Sequence, residues 1–361
     1  MRLPRKRSEV AKTVAEGWIT VDGSYGEGGG QILRTSLTCA ILTGTPVHIV
    51  NIRAGRPQPG LRPQHLVAVR AAAEICAADV EGDAVGSREV RFRPHRVRPG
   101  RYRWDIGTAG AVTLVLQTVF LPLALAEQTS HLTIRGGTHV PWSPTWAYVE
   151  RQWAPYMERI GCSARLHLKR AGFYPRGGGE VEVTVHPTRR PLRPLHAPEG
   201  GTLLRLGGTV YIANLPDHIA RRQKLTALAA LRKYRQDAKI TVQRLQAPSP
   251  GTLTLVEAHK EHGRGCYTAL GEKGKRAEAV AQEAVDRLRA YIESSASVDR
   301  HLADQLLLPL ALAEGPSTFS TDCVTQHLVT NAHVITRFLP VRIEIEGDVG
   351  ASGRVTVIPS P

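Results

Sequence analysis

The chain has 361 residues, 42% of them hydrophobic, which suffices for one large folded unit and a smaller one. Lys and Arg outnumber Asp and Glu by 47 to 32, giving a net charge of +15 and a pI near 10.0. That balance points to a polyanionic partner, with RNA or DNA ahead of an anionic membrane surface. Five scattered cysteines without CxxC spacing argue against a zinc site or a disulfide framework and suit a reducing cytoplasm.

Residues 1–16 are basic and lack the apolar core of a signal peptide. The next stretch is the densest in chemistry. Asp22-Gly-Ser-Tyr-Gly26-Glu27-Gly28-Gly29-Gly30-Gln31 leads into an apolar helical pattern over 31–42. Glycine lets the backbone approach a ligand closely, and the N–H groups at a helix start favour anions. Arg34, Arg53 and Arg56 add forked donors suited to phosphate. Glu27, a lone carboxylate among such groups, makes most sense as a ligand of a divalent metal. Each feature alone is a glycine turn or a surface arginine. Their concentration in one segment favours a phosphate site.

Alternation predicts a strand over 47–52, and helical periodicity resumes over 64–78. Residues 109–126 carry no charge and are long enough to suggest a membrane span, but Gln117 and Pro122 interrupt them. A buried or bent helix over 112–126 is the better reading, with no membrane partner. A helix over 146–160 places Trp146, Val149, Trp153, Tyr156, Met157 and Ile160 on one stripe, which reads as core and not as a base-stacking surface. Glycine-rich turns with arginine recur in Arg135-Gly-Gly-Thr-His-Val-Pro141 and Gly172-Phe-Tyr-Pro-Arg176-Gly-Gly-Gly179, the second between strands predicted at 164–168 and 181–185.

Residues 186–202 are rich in proline, arginine and glycine and read as a linker. After them comes a strand, a helix, two strands and a helix, reaching about residue 295 (strands 209–214, 240–245 and 252–257; helices 218–234 and 275–293). The expected partition is a basic tail 1–16, a large domain 17–195 and 297–361, and an inserted small domain 196–296. In the last part a helix over 302–313 opens on the polar pair Asp304-Gln305. His327 stands just before a helix at 331–339 that Thr330 or Asn331 can cap, and strands follow at 342–346 and 354–358. Helices and strands interleave throughout, so the fold class is α+β. Leu121-Pro-Leu-Ala-Leu-Ala-Glu127 recurs letter for letter as Leu308-Pro-Leu-Ala-Leu-Ala-Glu314, which reads as a duplicated unit. A fainter echo links Ile52-Arg-Ala-Gly55 with Ile134-Arg-Gly-Gly137.

There is no GxxxxGK[ST], G-x-S-x-G or H-E-x-x-H, and a lone histidine is most often a satisfied structural residue. The order of the segments is more specific than any one of them. Gly26-Glu-Gly-Gly-Gly-Gln-Ile-Leu-Arg34, Ile52-Arg-Ala-Gly-Arg56, the 172–179 turn, Leu302-Ala303-Asp304-Gln305 and the His327 segment together resemble the RNA 3′-terminal phosphate cyclases. The resemblance covers roughly 18–185 and 298–347 and is weak in the insert.

The resemblance implies an enzyme that uses ATP to convert an RNA 3′-phosphate into a 2′,3′-cyclic phosphate. It also implies a large domain of repeated βαβαββ units like the C-terminal domain of translation initiation factor 3, with a thioredoxin-like insert. By the same resemblance His327 is the residue adenylylated, giving histidyl-AMP and then an RNA–adenylate. Gln117, His301, Leu302, Ala303, Asp304 and Gln305 bind ATP, and Pro141 flanks the adenine. Glu27 holds Mg2+ or Mn2+, while Arg34, Arg53, Arg56 and Gln64 line the phosphate and RNA-end site. His301 stands where the family often has a tyrosine, so it stacks on adenine with less area. In the insert, Arg221-Arg-Gln-Lys224 and Arg232-Lys-Tyr-Arg235 read equally well as an RNA guide or as a solvated helix face. A non-catalytic cyclase-like ribosome-assembly factor would lack the histidine, and an enolpyruvyl transferase on the same repeat would need neither it nor a strongly basic surface.

Overall fold

The computed structural model describes residues 17–360, so the tail expected over 1–16 lies outside it. The first unit runs β1 (Ile19–Asp22), α1 (Gly30–Thr43), β2 (Val47–Val50), α2 (Pro63–Cys76), β3 (Asp79–Glu81) and β4 (Val90–Arg93). Its sheet order is β1-β2-β4-β3, with β1 and β2 parallel and β4 antiparallel to both its neighbours. The second unit repeats the plan with β5 (Arg101–Asp105), α3 (Val112–Ala124), β6 (Ser130–Gly136), a segmented helix, β7 (Ala164–Arg170) and β8 (Gly179–Val185), in the order β5-β6-β8-β7. The segmented helix consists of α4 (Trp146–Tyr148), a π-helical turn (Val149–Trp153) and α5 (Ala154–Ile160).

β9 (His196–Ala197) comes next, followed by a separate sheet built from β10 (Leu203–Ala213), α6 (Asp217–Leu231), β11 (Lys239–Arg244), β12 (Gly251–Lys260), β13 (Arg264–Leu270) and α7 (Ala277–Glu293). Its order is β11-β10-β12-β13. The chain then resumes with α8 (Arg300–Ala311), β14 (Ser317–Thr321), α9 (Gln326–Ile335), β15 (Val341–Glu346) and β16 (Gly353–Pro359). Here the order is β9-β14-β16-β15, with β9 parallel to β14. Strand–helix–strand–helix–strand–strand therefore occurs three times with the same pairing, the third copy being split after β9.

In the three units β4, β7 and β15 alternate inward and outward residues, so each sheet has a solvated face. The helices lie inward: α1 packs on α2, α3 and α9, and α8 on α9. α3 is almost wholly buried, which explains why it carries no charge. Pro122 in its last turn lacks the N–H that would bond the Thr118 carbonyl, and Thr38 Oγ1 of α1 donates to that carbonyl instead at 2.9 Å. The repeated heptapeptide falls at the ends of α3 and α8, the first helices of the second and third units. In the fourth sheet β12 is buried on both faces, with Leu253 and Leu255 in the main core and Val256 and Ala258 against α6 and α7.

Several expectations need correction. His196–Ala197, inside the stretch read as a linker, pairs with Thr318 and Phe319 and so belongs to the third unit's sheet. The insert has three strands and not two between its helices, because β13, with Gly265 and Cys266 packed inward, gives little apolar alternation. The arginine-rich β4 and β5 are half-exposed strands that periodicity does not single out. The helix over 146–160 takes a π turn, and its aromatic stripe is core as expected, with Trp146 fully buried. α9 begins at Gln326, not 331: Thr325 is the cap, accepting from Leu328 N at 3.1 Å, and His327 sits within the first turn. Among the described residues no helix is long and apolar enough to cross a membrane.

Candidate active site

The site forms where helices from all three units meet. Gly26 and Glu27 lie in the loop between β1 and α1. Gly26 holds φ +58°, and a Cβ there would sit 2.3 Å from Thr330 Oγ1 of α9, so both conformation and space call for glycine. This close approach sets Glu27 between two elements. One carboxylate oxygen pairs with Arg56, and the other lies 2.5 Å from His327 Nε2. The histidine contact is close but misaligned, because Glu27 Oε2 is buried without a hydrogen-bond partner.

Behind His327 a chain of hydrogen bonds locks the helices together. Thr35 Oγ1 of α1 donates to Asn331 Oδ1 of α9 at 2.5 Å, and Asn331 Nδ2 donates to the Asp304 carbonyl of α8 at 2.7 Å. Gln31 Nε2 donates to Asp304 Oδ2 at 3.2 Å, and Arg34 donates to Gln31 Oε1 at 3.0 Å. Gln117 of α3 bonds Gln305, which in turn donates to the His301 carbonyl. Between them lies a cavity of about 80 Å³ lined by Gln31, Arg34, Gln117, Gln305 and Asn331. Asp299 caps α8: its carboxylate accepts from His301 N and Leu302 N at 2.9 and 3.0 Å.

The charges tune one another. Burial raises the carboxyl of Asp304 to about 6, with His327 and Arg34 opposing. Desolvation of its inner face lowers the pKa of His327, Asp304 opposes, and the Arg34 and Arg56 guanidinium groups lower it further. The side chain is still 48% exposed, so water screens part of this, but the direction favours the neutral imidazole. Burial brings Arg34 down to about 10, where it stays charged.

The expected residues divide clearly. Glu27, Arg56 and His327 are in direct contact, and Arg34, Asp304, Gln305 and Gln117 join through the network just described. Arg53 braces its own loop, donating to the carbonyls of Gln58 and Gly60, each at 2.8 Å. Gln64 accepts from Ala111 N at 3.0 Å and so ties α2 to the start of α3. Leu302 and Ala303 are fully buried, which leaves their side chains to the core. His301 is exposed at the start of α8, edge-on to Tyr267 with ring centroids 5.6 Å apart. Pro141 is exposed in the turn after Val140.

His65 was not singled out, although it ends the arginine-rich stretch. Its Nδ1 accepts from Arg62 N at 3.3 Å, which places the ring proton on Nε2, facing Gly30. Burial first, then Arg34, Arg53, Arg62 and Arg56, push its pKa down to about 3. A neutral donor among four guanidinium groups is what a doubly charged phosphate would find there. Asn331, expected as a helix cap, instead bridges α1 and α8, and neither its role nor those of Gln31 and Thr35 can be read without their packing.

A family model described as RNA 3′-terminal phosphate cyclase matches residues 25–345. The chain belongs to the RNA 3′-terminal phosphate cyclase family. A relative of that name from Methylococcus capsulatus is 46% identical over 350 residues, covering 95% of this chain and 97% of its own. One from Methanopyrus kandleri is 44% identical over 348 residues, covering 94% and 99%, and one from Ralstonia nicotianae is 46% identical over 336, covering 92% and 95%. Among solved structures, the enolpyruvyl transferase NikO from Streptomyces tendae is 19% identical and aligns over 47% of this chain and 33% of its own. Its TM-score is 0.26.

Proposed function

We propose that this protein is the ATP-dependent cyclase that its relatives' name describes, with His327 as nucleophile. The observation that carries the proposal is the placement of His327 in the first turn of α9, against Glu27 and beside buried Asp304, within reach of the glycine loop and its arginines. A neutral imidazole nitrogen of His327 attacks the α-phosphorus of ATP. A P–N bond forms, the bridging P–O bond breaks, and pyrophosphate leaves. An oxygen of the RNA 3′-phosphate then displaces His327 from that phosphorus, giving the RNA–adenylate. The neighbouring 2′-OH attacks the 3′-phosphorus, AMP departs, and the hydroxyl proton passes to solvent. This last step is intramolecular, so geometry supplies much of its rate.

Arg34, Arg56 and His65 would bind and orient the phosphates, and His301, Gln305 and Gln117 would bind the nucleoside, with Pro141 against the base. Glu27 Oε2, buried and lacking a hydrogen-bond partner, fits a ligand of Mg2+ or Mn2+. No group of three or more His, Cys, Asp or Glu gathers among the described residues. Phosphate oxygens would therefore complete the coordination, as Mg2+ commonly requires. When bound, the ion would neutralise triphosphate charge.

The three units would each be like the C-terminal domain of translation initiation factor 3, and the insert thioredoxin-like. The shared strand order of the units and the parallel β10–β11 pair beside antiparallel β12 and β13 support this reading. A cytoplasmic site of action fits five buried, unbonded cysteines.

The test is incubation with α-³²P-ATP and magnesium, pyrophosphatase present, for wild type and His327→Ala. Protein-bound label that survives alkali, is lost in mild acid and is absent from the variant is expected. Unlabelled wild type would overturn the mechanism and favour a binding role.

A further inference from the structure

The two most exposed large hydrophobic side chains among the described residues lie in loops linked to the Gln64–His65 end of this site, and neither has a part in the mechanism. Trp142 is 95% exposed and Tyr174 66%. Trp142 also holds φ +64°, a left-handed conformation that bulky residues rarely adopt. Glycine would suit that backbone better, and a polar side chain would suit the solvent better. An indole there satisfies neither demand, which is the pattern of a residue placed for a ligand.

The two aromatics belong to one cluster of loops. Residues Thr138 and His139 donate from their backbone N–H to the Gly172 carbonyl at 2.9 and 3.1 Å, and His139 and Phe173 form a parallel bridge. Both chains leave that bridge in the same direction, reaching Tyr174 after one residue and Trp142 after three. The cluster is continuous with the phosphate site, because Ala111 N is held by Gln64, the neighbour of His65, and Gly177 packs on Ala109. Two exposed arginines serve the 172–179 turn, Arg176 within it and Arg170 at the end of β7. Arg170 donates to the Gly178 carbonyl at 2.9 Å and Arg176 to the Pro248 carbonyl at 3.0 Å, which fixes each guanidinium while leaving other N–H groups to the solvent.

We propose that Trp142 and Tyr174 form a stacking platform for bases of single-stranded RNA upstream of the 3′ end, with Arg170 and Arg176 holding the backbone. The proposal deepens the cyclase reading and rests on it for the position of the 3′ end. Every base has a π-face, so such a platform favours a strand over a mononucleotide without reading sequence. The chain's net charge of +15 provides the complementary attraction.

Two measurements on the full chain test it. The first compares KM for a short oligoribonucleotide 3′-phosphate, for a nucleoside 3′-phosphate and for ATP, in wild type, Trp142→Gly, Trp142→Phe and Tyr174→Ala. Glycine fits the backbone at 142, so that variant should keep its fold. The expected result is a roughly tenfold rise in KM for the oligonucleotide alone, partly rescued by phenylalanine. An unchanged oligonucleotide KM, or a rise in KM for ATP instead, overturns the platform. The second is tryptophan emission titrated with an oligoribonucleotide lacking the 3′-phosphate. Trp104, Trp146 and Trp153 are buried, and Trp18, partly buried under Arg93, is unchanged between wild type and Trp142→Phe, so the quenching lost in that variant reports contact at residue 142. Wild-type emission that RNA leaves unchanged overturns the proposal even if cyclisation proceeds. Quenching without any cyclisation would remove the cyclase reading and leave the RNA platform standing.

Discussion

As the proposed nucleophile, His327 would act only while its imidazole is neutral. Desolvation, the largest influence, and the charges of Arg34 and Arg56 act together against protonation, while the carboxylates of Asp304 and Glu27 favour it. The neutral fraction therefore persists to lower pH than in a free histidine. The acid limb of the adenylylation rate should have its midpoint below 6.5, the ordinary histidine value. Replacing Arg56 with glutamine removes one opposing charge and should move that midpoint up, whereas Asp304→Asn should move it down. Initial rates of label incorporation across pH would check both directions, and shifts of the opposite sign would show that the site's charges are not coupled to His327 as the geometry implies. Glu27 and Arg34 stand out in one contiguous glycine-rich motif, whereas His327 stands out only through the family resemblance. The neutral state of His65 was not legible, because it depends on four arginines brought round it by folding.

At the scale of elements, α8 carries one side of the site, and its register depends on Asp299. That carboxylate is fully buried and accepts five hydrogen bonds: from His301 N and Leu302 N, from Tyr148 Oη at 2.9 Å, from Gln152 Nε2 at 2.7 Å, and from Cys266 N at 3.2 Å. It therefore joins the π turn, β13 and the start of α8 in one knot. Asp299→Ala removes a helix cap and strands three further buried donors, so it should cost about 3 kcal/mol or more of stability. It should also raise the KM for ATP by loosening the turn that holds His301. Urea unfolding together with ATP-dependent labelling would check this, and an unchanged midpoint would show that water replaces the carboxylate. Helix periodicity located α8 to within two residues. The cap at 299 went unread, because an aspartate before a helix says nothing of the partners that other elements bring to it.

Across the whole molecule, positive charge is in excess by 15, and the expected substrate is a polyanion. If RNA binding runs on phosphate contacts, the logarithm of the affinity should fall linearly with the logarithm of salt, at roughly 0.7 per phosphate neutralised on a single strand. Anisotropy titrations with an oligoribonucleotide between about 50 and 200 mM salt would measure the slope. Affinity that ignores salt would locate recognition in the base contacts and not in the charge. By itself the sequence determined the class of fold, the long helices, the duplication marked by the repeated heptapeptide, and the ordered motifs that carry the family. Those are properties of local spacing and residue type, which hydrophobic periodicity and glycine-rich turns write directly into the chain. Tertiary structure decided the third copy of the unit, begun by two residues at 196–197 and completed after the insert, because a strand that short exists only through its partner. It decided as well that helices from three units meet at His327, since hydrogen bonds between residues nearly 300 positions apart, such as Thr35 with Asn331, have no trace in local sequence.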